Sequence, residues 1–162
     1  MSWSRRGFVL LGLSVMGCGY TPLLAPETFA TRLQNNVDIV DRDGRENFEF
    51  RARLEERLGR GGSSARYLVT YDYVVRDTAV TVSEDADIER FTLLGTVRFT
   101  VTDRDSGDVV LSDVIRASAG YSTTSDTFPT RVAERDAAIR LSRSLADQLV
   151  QLLQLSASGF PA

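Results

Sequence analysis

The chain has 162 residues, 43% apolar and 25% charged, a balance suited to one globular domain and too apolar for a disordered one. It has no His, its 19 basic residues are all Arg, and it has one Cys. These absences exclude histidine bases, imidazole ligands, Schiff-base and phosphate-loop lysines, internal disulfides and Cys-rich zinc sites, so the chain carries no catalytic, metal or cofactor constellation and does not read as an enzyme.

Residues 1–17 read as a leader. Arg5 and Arg6 form a basic start, and Phe8 to Met16 is an apolar run of nine residues. As a helix this run spans about 14 Å, roughly half of a hydrocarbon core, which suits an export signal and is too short for a membrane span. Cys18 follows directly, preceded by Val15-Met16-Gly17. The order resembles a bacterial lipobox, with Met16 larger than the pattern's usual small residue; the alternative is an incidental free thiol. The lipoprotein resemblance implies cleavage before Cys18 and acylation of it. One acyl chain binds a bilayer only marginally, whereas several make a firm anchor. Gly19 stands where Asp would favour retention in the inner membrane, so the expected address is the outer membrane, lipid-anchored on the periplasmic side. Ser4-Arg5-Arg6-Gly7-Phe8-Val9 also resembles a twin-arginine signal, which leaves the folded and the unfolded export routes both open. Downstream of the leader stand 17 arginines and 22 acids, a net charge of −5 that argues against nucleic acid as a partner.

Residues 18–36, with Pro22 and Pro26 and no sustained period, read as a tether. A short strand is expected at 37–40. Asp43-Gly44-Arg45-Glu46 has the spacing of a capping box, opening a helix to Leu58 with Phe50, Leu54 and Leu58 on one face. The glycine-rich run 59–64 stops it and lacks the Gly-Lys-Ser of a phosphate loop.

Alternation then predicts three antiparallel strands. From Tyr67 one face carries Tyr67, Val69, Tyr71, Tyr73 and Val75, and the other Leu68, Thr70, Asp72, Val74 and Arg76. From Phe91 the apolar set is Phe91, Leu93, Val97, Phe99 and Val101, with Gly95 among them. The turn at 103–108 reads as a solvated hairpin, since Arg104 stands among its would-be calcium ligands and no twelfth-position Glu follows. A third strand runs from Val109 to about Tyr121, with a bulge near Asp113 to repair its parity.

Thr127 or Asp126 caps a last helix with Pro129 in its first turn. Its central stripe is Ala133, Ala137, Leu141, Leu145, Leu149 and Leu152. The domain thus covers 37–155, followed by a tail at 156–162. The order strand-helix-strand-strand-strand-helix predicts an α+β two-layer sandwich, with two helices on one face of a four-stranded, mostly antiparallel sheet.

The paired acids Glu84-Asp85 and Asp103/Asp105 and the hydroxyl cluster 122–125 have no base or metal set beside them. The Tyr67, Tyr71 and Tyr73 stripe reads as core. Arg76, Arg98 and Arg116 fall on the face away from the helices, where they are either solvated or form a patch for phosphate, which guanidinium groups grip in a bidentate manner.

Cys18-Gly19-Tyr20-Thr21-Pro22-Leu23, the run 132–137 (Val-Ala-Glu-Arg-Asp-Ala) leading into 145–149 (Leu-Ala-Asp-Gln-Leu), and Tyr121-Ser122 ahead of that helix resemble the lipopolysaccharide-assembly lipoprotein LptE family in its alphaproteobacterial form. The resemblance spans nearly all of the chain after the leader. It implies a non-enzymatic lipoprotein that plugs the outer-membrane β-barrel LptD, assists assembly of that barrel and supports delivery of lipopolysaccharide to the cell surface. No family motif maps lipopolysaccharide contacts onto this chain, so the assignment of Arg76, Arg98 and Arg116 to its phosphates rests on the strand pattern alone. A rival reading is an auxiliary lipoprotein binding module of an ABC-type envelope transporter.

Overall fold

The four strands form one sheet in the order β1-β2-β3-β4, seen in a computed structural model that describes residues 29–81, 89–123 and 127–161. β1 (Val37–Ile39) runs parallel to β2 (Tyr67–Thr81), a pairing that needs a crossover. A one-turn helix, α1 (Phe29–Arg32), precedes β1, and helix α2 (Arg45–Leu58) makes the crossover. β2, β3 (Glu89–Asp103) and β4 (Val109–Thr123) form the predicted antiparallel meander. Helix α3 (Thr127–Ser156) closes the two-layer α+β sandwich. Its 30 residues extend about 45 Å, close to the roughly 50 Å of a 15-residue strand, so one helix can cover the long strands from end to end.

The predicted faces are the buried ones. Tyr67, Val69 and Tyr71 of β2 and Leu93, Val97, Phe99 and Val101 of β3 lie in the core with Phe50, Leu54 and Leu58 of α2. Phe50 packs on the rings of Tyr71 and Tyr73 at centroid distances of 5.0 and 5.7 Å. Helix α3 buries Ala137, Leu141, Leu145, Leu149 and Leu153, so the last position of the stripe is Leu153, with Leu152 only half-buried. The helices are joined by Arg53, whose Nε and Nη2 donate to Asp147 at 3.0 and 3.2 Å.

Several local expectations are corrected. The capping box does not form: Gly44 is the N-cap at φ 111° and makes no side-chain cap bond, while Asn47 Nδ2 donates to the Asp43 carbonyl. The β4 bulge lies at Val110, between the pairs Val101–Leu111 and Thr102–Val109, and Asp113 stays in register opposite Phe99. Thr127 is the first helical residue of α3 rather than its cap, and Asp126 lies outside the described residues.

Ordered packing also begins before Val37 and continues past Leu155. Leu33 is 1% exposed, and the Asn35 N–H bonds the Leu58 carbonyl at 2.7 Å. At the other end Ala157 and Phe160 are buried, Phe160 packs on Tyr67, and Tyr67 Oη donates to the Pro161 carbonyl at 2.9 Å. The tail is thus part of the core's lid.

The hairpin turn is solvated from Arg104 to Asp108, as expected, but its first residue is not. Asp103 is 0% exposed and receives Arg66 Nε and Nη2 at 3.1 and 3.0 Å. These bonds hold its carboxyl below the usual carboxylate range, reinforced by the backbone N–H groups of Asp105 and Ser106. Arg104 donates to the carbonyls of Gly62, Ser63 and Ala65 and to Asp38 Oδ2, which fastens the glycine-rich loop to the turn.

Candidate functional site on the outer face of the sheet

Because side chains alternate across a strand, the residues facing away from the helices follow from the register. Three outer-face rows cross the sheet: Asp72–Arg98–Val114, Val74–Thr96–Arg116 and Arg76–Leu94–Ser118. The bulge at Val110 precedes Arg116, so it corrects the parity of β4 before that residue and leaves its side chain on the outer face. Arg98 and Arg116 are diagonal neighbours, roughly 8 Å apart at the backbone, with Arg76 on the third strand.

All three predicted arginines line one shallow concavity of about 330 Å³, together with Asp72, Val74 and Leu94. Its middle row is occupied by Thr96, shorter than the guanidinium side chains around it, so the face dips there. The guanidinium groups are exposed, and among the described residues none of them joins a hydrogen bond or ion pair. Arg66 and Arg104, by contrast, are committed to internal partners. Three cations against one carboxylate make the patch positive on a chain of net negative charge.

Val74 and Leu94, 40% and 45% exposed, give the concavity an apolar component. The strand pattern placed both on this face, but only the register shows that they lie between the arginines. Chemically, the patch can hold a phosphate beside an apolar group; it has no nucleophile–base pair. Cys18 and the pair Glu84-Asp85 lie outside the described residues, as do Thr124 and Ser125 of the hydroxyl cluster. Among the described residues no group of His, Cys, Asp and Glu could hold a metal ion, and no helix is long and apolar enough to cross a membrane.

No curated protein matches the chain. Among solved structures it resembles a lipoprotein from Caulobacter crescentus, 23% identical, covering 83% of this chain and 98% of that one with a TM-score of 0.67. It also resembles a minor lipoprotein from Acinetobacter baumannii, 17% identical, covering 77% and 91% with a TM-score of 0.51. These likenesses establish the fold. The family model of the lipopolysaccharide-assembly protein LptE matches residues 33–153, from the first buried leucine to the last buried leucine of α3. The chain therefore belongs to the LptE family and is a lipoprotein of lipopolysaccharide assembly and transport.

Proposed function

We propose that the protein acts at the outer membrane, anchored through Cys18 on the periplasmic side, as plug and assembly partner of an LptD-type β-barrel. In this role it contacts lipopolysaccharide phosphate through Arg76, Arg98 and Arg116. The observation that carries the ligand reading is the outer-face concavity, where three uncommitted guanidinium groups surround Val74 and Leu94. A phosphorylated glycolipid offers the complementary pair of features, phosphate for the guanidinium groups and acyl chain for the apolar surface. Plugging a barrel suits a small two-layer domain with a polar outer sheet face, since the lumen of such barrels is polar. Ten residues separate Cys18 from Phe29, and fully extended they would reach about 35 Å. That is shorter than the roughly 60 Å available to an eighteen-residue tether and still clears a membrane surface.

Two experiments test this reading. Reversing charge at all three arginines to Glu is expected to weaken lipopolysaccharide binding more than tenfold at low salt with only a modest fall in melting temperature, since all three side chains are exposed and the carboxylate introduced at position 98 stands across from Asp72. Unchanged affinity would remove the phosphate assignment. A mild-detergent pull-down of the tagged full chain should recover a stoichiometric large β-barrel. Recovery of an inner-membrane ATPase complex would instead favour the transporter-subunit reading.

A further inference from the structure

β4 is the last strand of the sheet, so among the described residues one of its edges has no neighbouring strand. Two side-chain bonds show which residues point their backbone groups outward. The Val114 N–H bonds Asp113 Oδ1 at 2.7 Å, and the Gly120 carbonyl accepts Arg140 Nη2 at 3.0 Å. Val114 and Gly120 share parity with Arg116 and Ser118, and successive residues of a strand direct their N–H and C=O to opposite sides. Arg116 and Ser118 therefore turn both backbone groups outward, and among the described residues nothing bonds them. The edge is occupied at two points and bare between them. Such a window is the docking geometry for an added strand, which would gain up to four main-chain hydrogen bonds there.

We infer that this window accepts an extended strand of a partner protein carrying an acidic side chain opposite Arg116. The register supplies the charge argument. A residue placed directly across from Arg116 puts its Cβ about 5 Å away on the outer face, where Arg98 is the diagonal neighbour on the other side. Arg116 thus faces that position, with Arg98 a further strand away adding to the positive field, and a carboxylate complements this charge where a lysine would be repelled.

The same charges disfavour a second copy of the chain. Two-fold antiparallel pairing centred on Arg116 sets two guanidinium groups directly opposite each other, and centring on Ala117 leaves them diagonal neighbours. Centring on Ser118 separates them but needs the Gly120 carbonyl that Arg140 already holds, and Arg140 is itself ion-paired with Asp136. Residues 19–28 of the chain itself are a poor occupant, since Pro22 and Pro26 have no N–H to give a ladder.

The test uses the full chain, isotope-labelled and in detergent, with the acetylated and amidated peptide Thr-Val-Glu-Val-Thr and its counterpart with Lys at the centre. Amide hydrogen exchange is followed residue by residue. The Glu peptide should protect the Arg116 and Ser118 amides, with the Lys peptide about five- to tenfold weaker. Arg116→Glu should invert that preference. Ser118→Pro, which removes an outward N–H and leaves the β3 side of the ladder intact, should abolish protection by either peptide. Should the proline variant fail to fold, the inversion by Arg116→Glu still decides. The inference is overturned by no protection at millimolar peptide, by equal protection from both peptides, or by protection that rises with protein concentration, which marks a second copy. Protection already present without peptide and unchanged on dilution, which marks the chain's own segment, overturns it too.

Discussion

Replacing Gly95 with alanine tests how the long helix is seated on the sheet. Gly95 lies at the middle of β3 between Val75 of β2 and Ala117 of β4, directly beneath α3. A Cβ there would stand 2.7 Å from Leu145 Cδ1 and 3.1 and 3.2 Å from the two methyl carbons of Leu141. Carbon pairs rest at about 3.5–4.0 Å, so the closest contact is short by nearly 1 Å. Both leucines are fully buried and lack room to yield. Overpacking of this kind costs about 1–3 kcal/mol, offset in part by the backbone freedom that alanine removes from the unfolded chain, so a net loss of about 1–2 kcal/mol is expected. Leu145→Ala alone leaves a cavity and should cost about 2–5 kcal/mol. In the double variant the methyl at position 95 enters the space vacated by Leu145, so the two losses should fall short of their sum by about 1 kcal/mol. The Leu141 contacts remain and keep the rescue partial. Urea unfolding of the four proteins, read by circular dichroism at unchanged m-value, supplies the cycle. Additivity within about 0.5 kcal/mol, or a stabilised Gly95→Ala, would refute the close-approach argument.

Two adjacent tyrosines of one strand face should respond with opposite sign. Tyr71 Oη is buried with no hydrogen-bond partner among the described residues and burial raises its pKa, so Tyr71→Phe should gain about 1 kcal/mol. Tyr73 Oη lies 3.1 Å from Ser142 Oγ, a residue 0% exposed, so Tyr73→Phe orphans that hydroxyl and should cost about 1 kcal/mol. Thermal shifts of the same sign would contradict this pairing. Asp103 has a folded pKa below its usual 3.8, so its contribution is complete above that value and is lost as pH falls through the lower, folded one. The melting-temperature gap between the parent and Asp103→Asn should therefore be constant from pH 7 to about 5 and narrow below about pH 4; a gap independent of pH down to 2.5 would refute it. Cys18→Ala should abolish incorporation of labelled fatty acid into the chain and leave its fold intact, as metabolic labelling and circular dichroism would show.

The outer-face site was legible in the sequence because parity is local. Arg76, Arg98 and Arg116 share a face through the alternation of their own strands, and the misplaced bulge did no harm, since Val110 and Asp113 both precede Arg116. Their convergence on one concavity was not legible. It depends on the pairing of Val74 with Thr96 and of Thr96 with Arg116, and sliding one strand by two residues keeps every parity while taking the groups apart. Asp103 was misread for a related reason: a polar run in a turn looks solvated until the distant Arg66, the residue just before β2, covers its first carboxylate.

The order of elements, the buried face of each strand, the helix stripe and the cysteine after an apolar run all follow from residue types at short spacing, so the sequence by itself determined them. Tertiary structure alone decided what depends on which elements meet. Leu33 and Phe160 join the core because the segments just before β1 and just after α3 pack onto α2 and β2. Gly95 matters because a helix formed some fifty residues later presses two leucines against it. The open window on β4 exists because that strand is last in the sheet and, among the described residues, only Asp113 and Arg140 reach its edge. Periodicity specifies which way a side chain points; which groups it then meets is set by long-range pairing that no local pattern encodes.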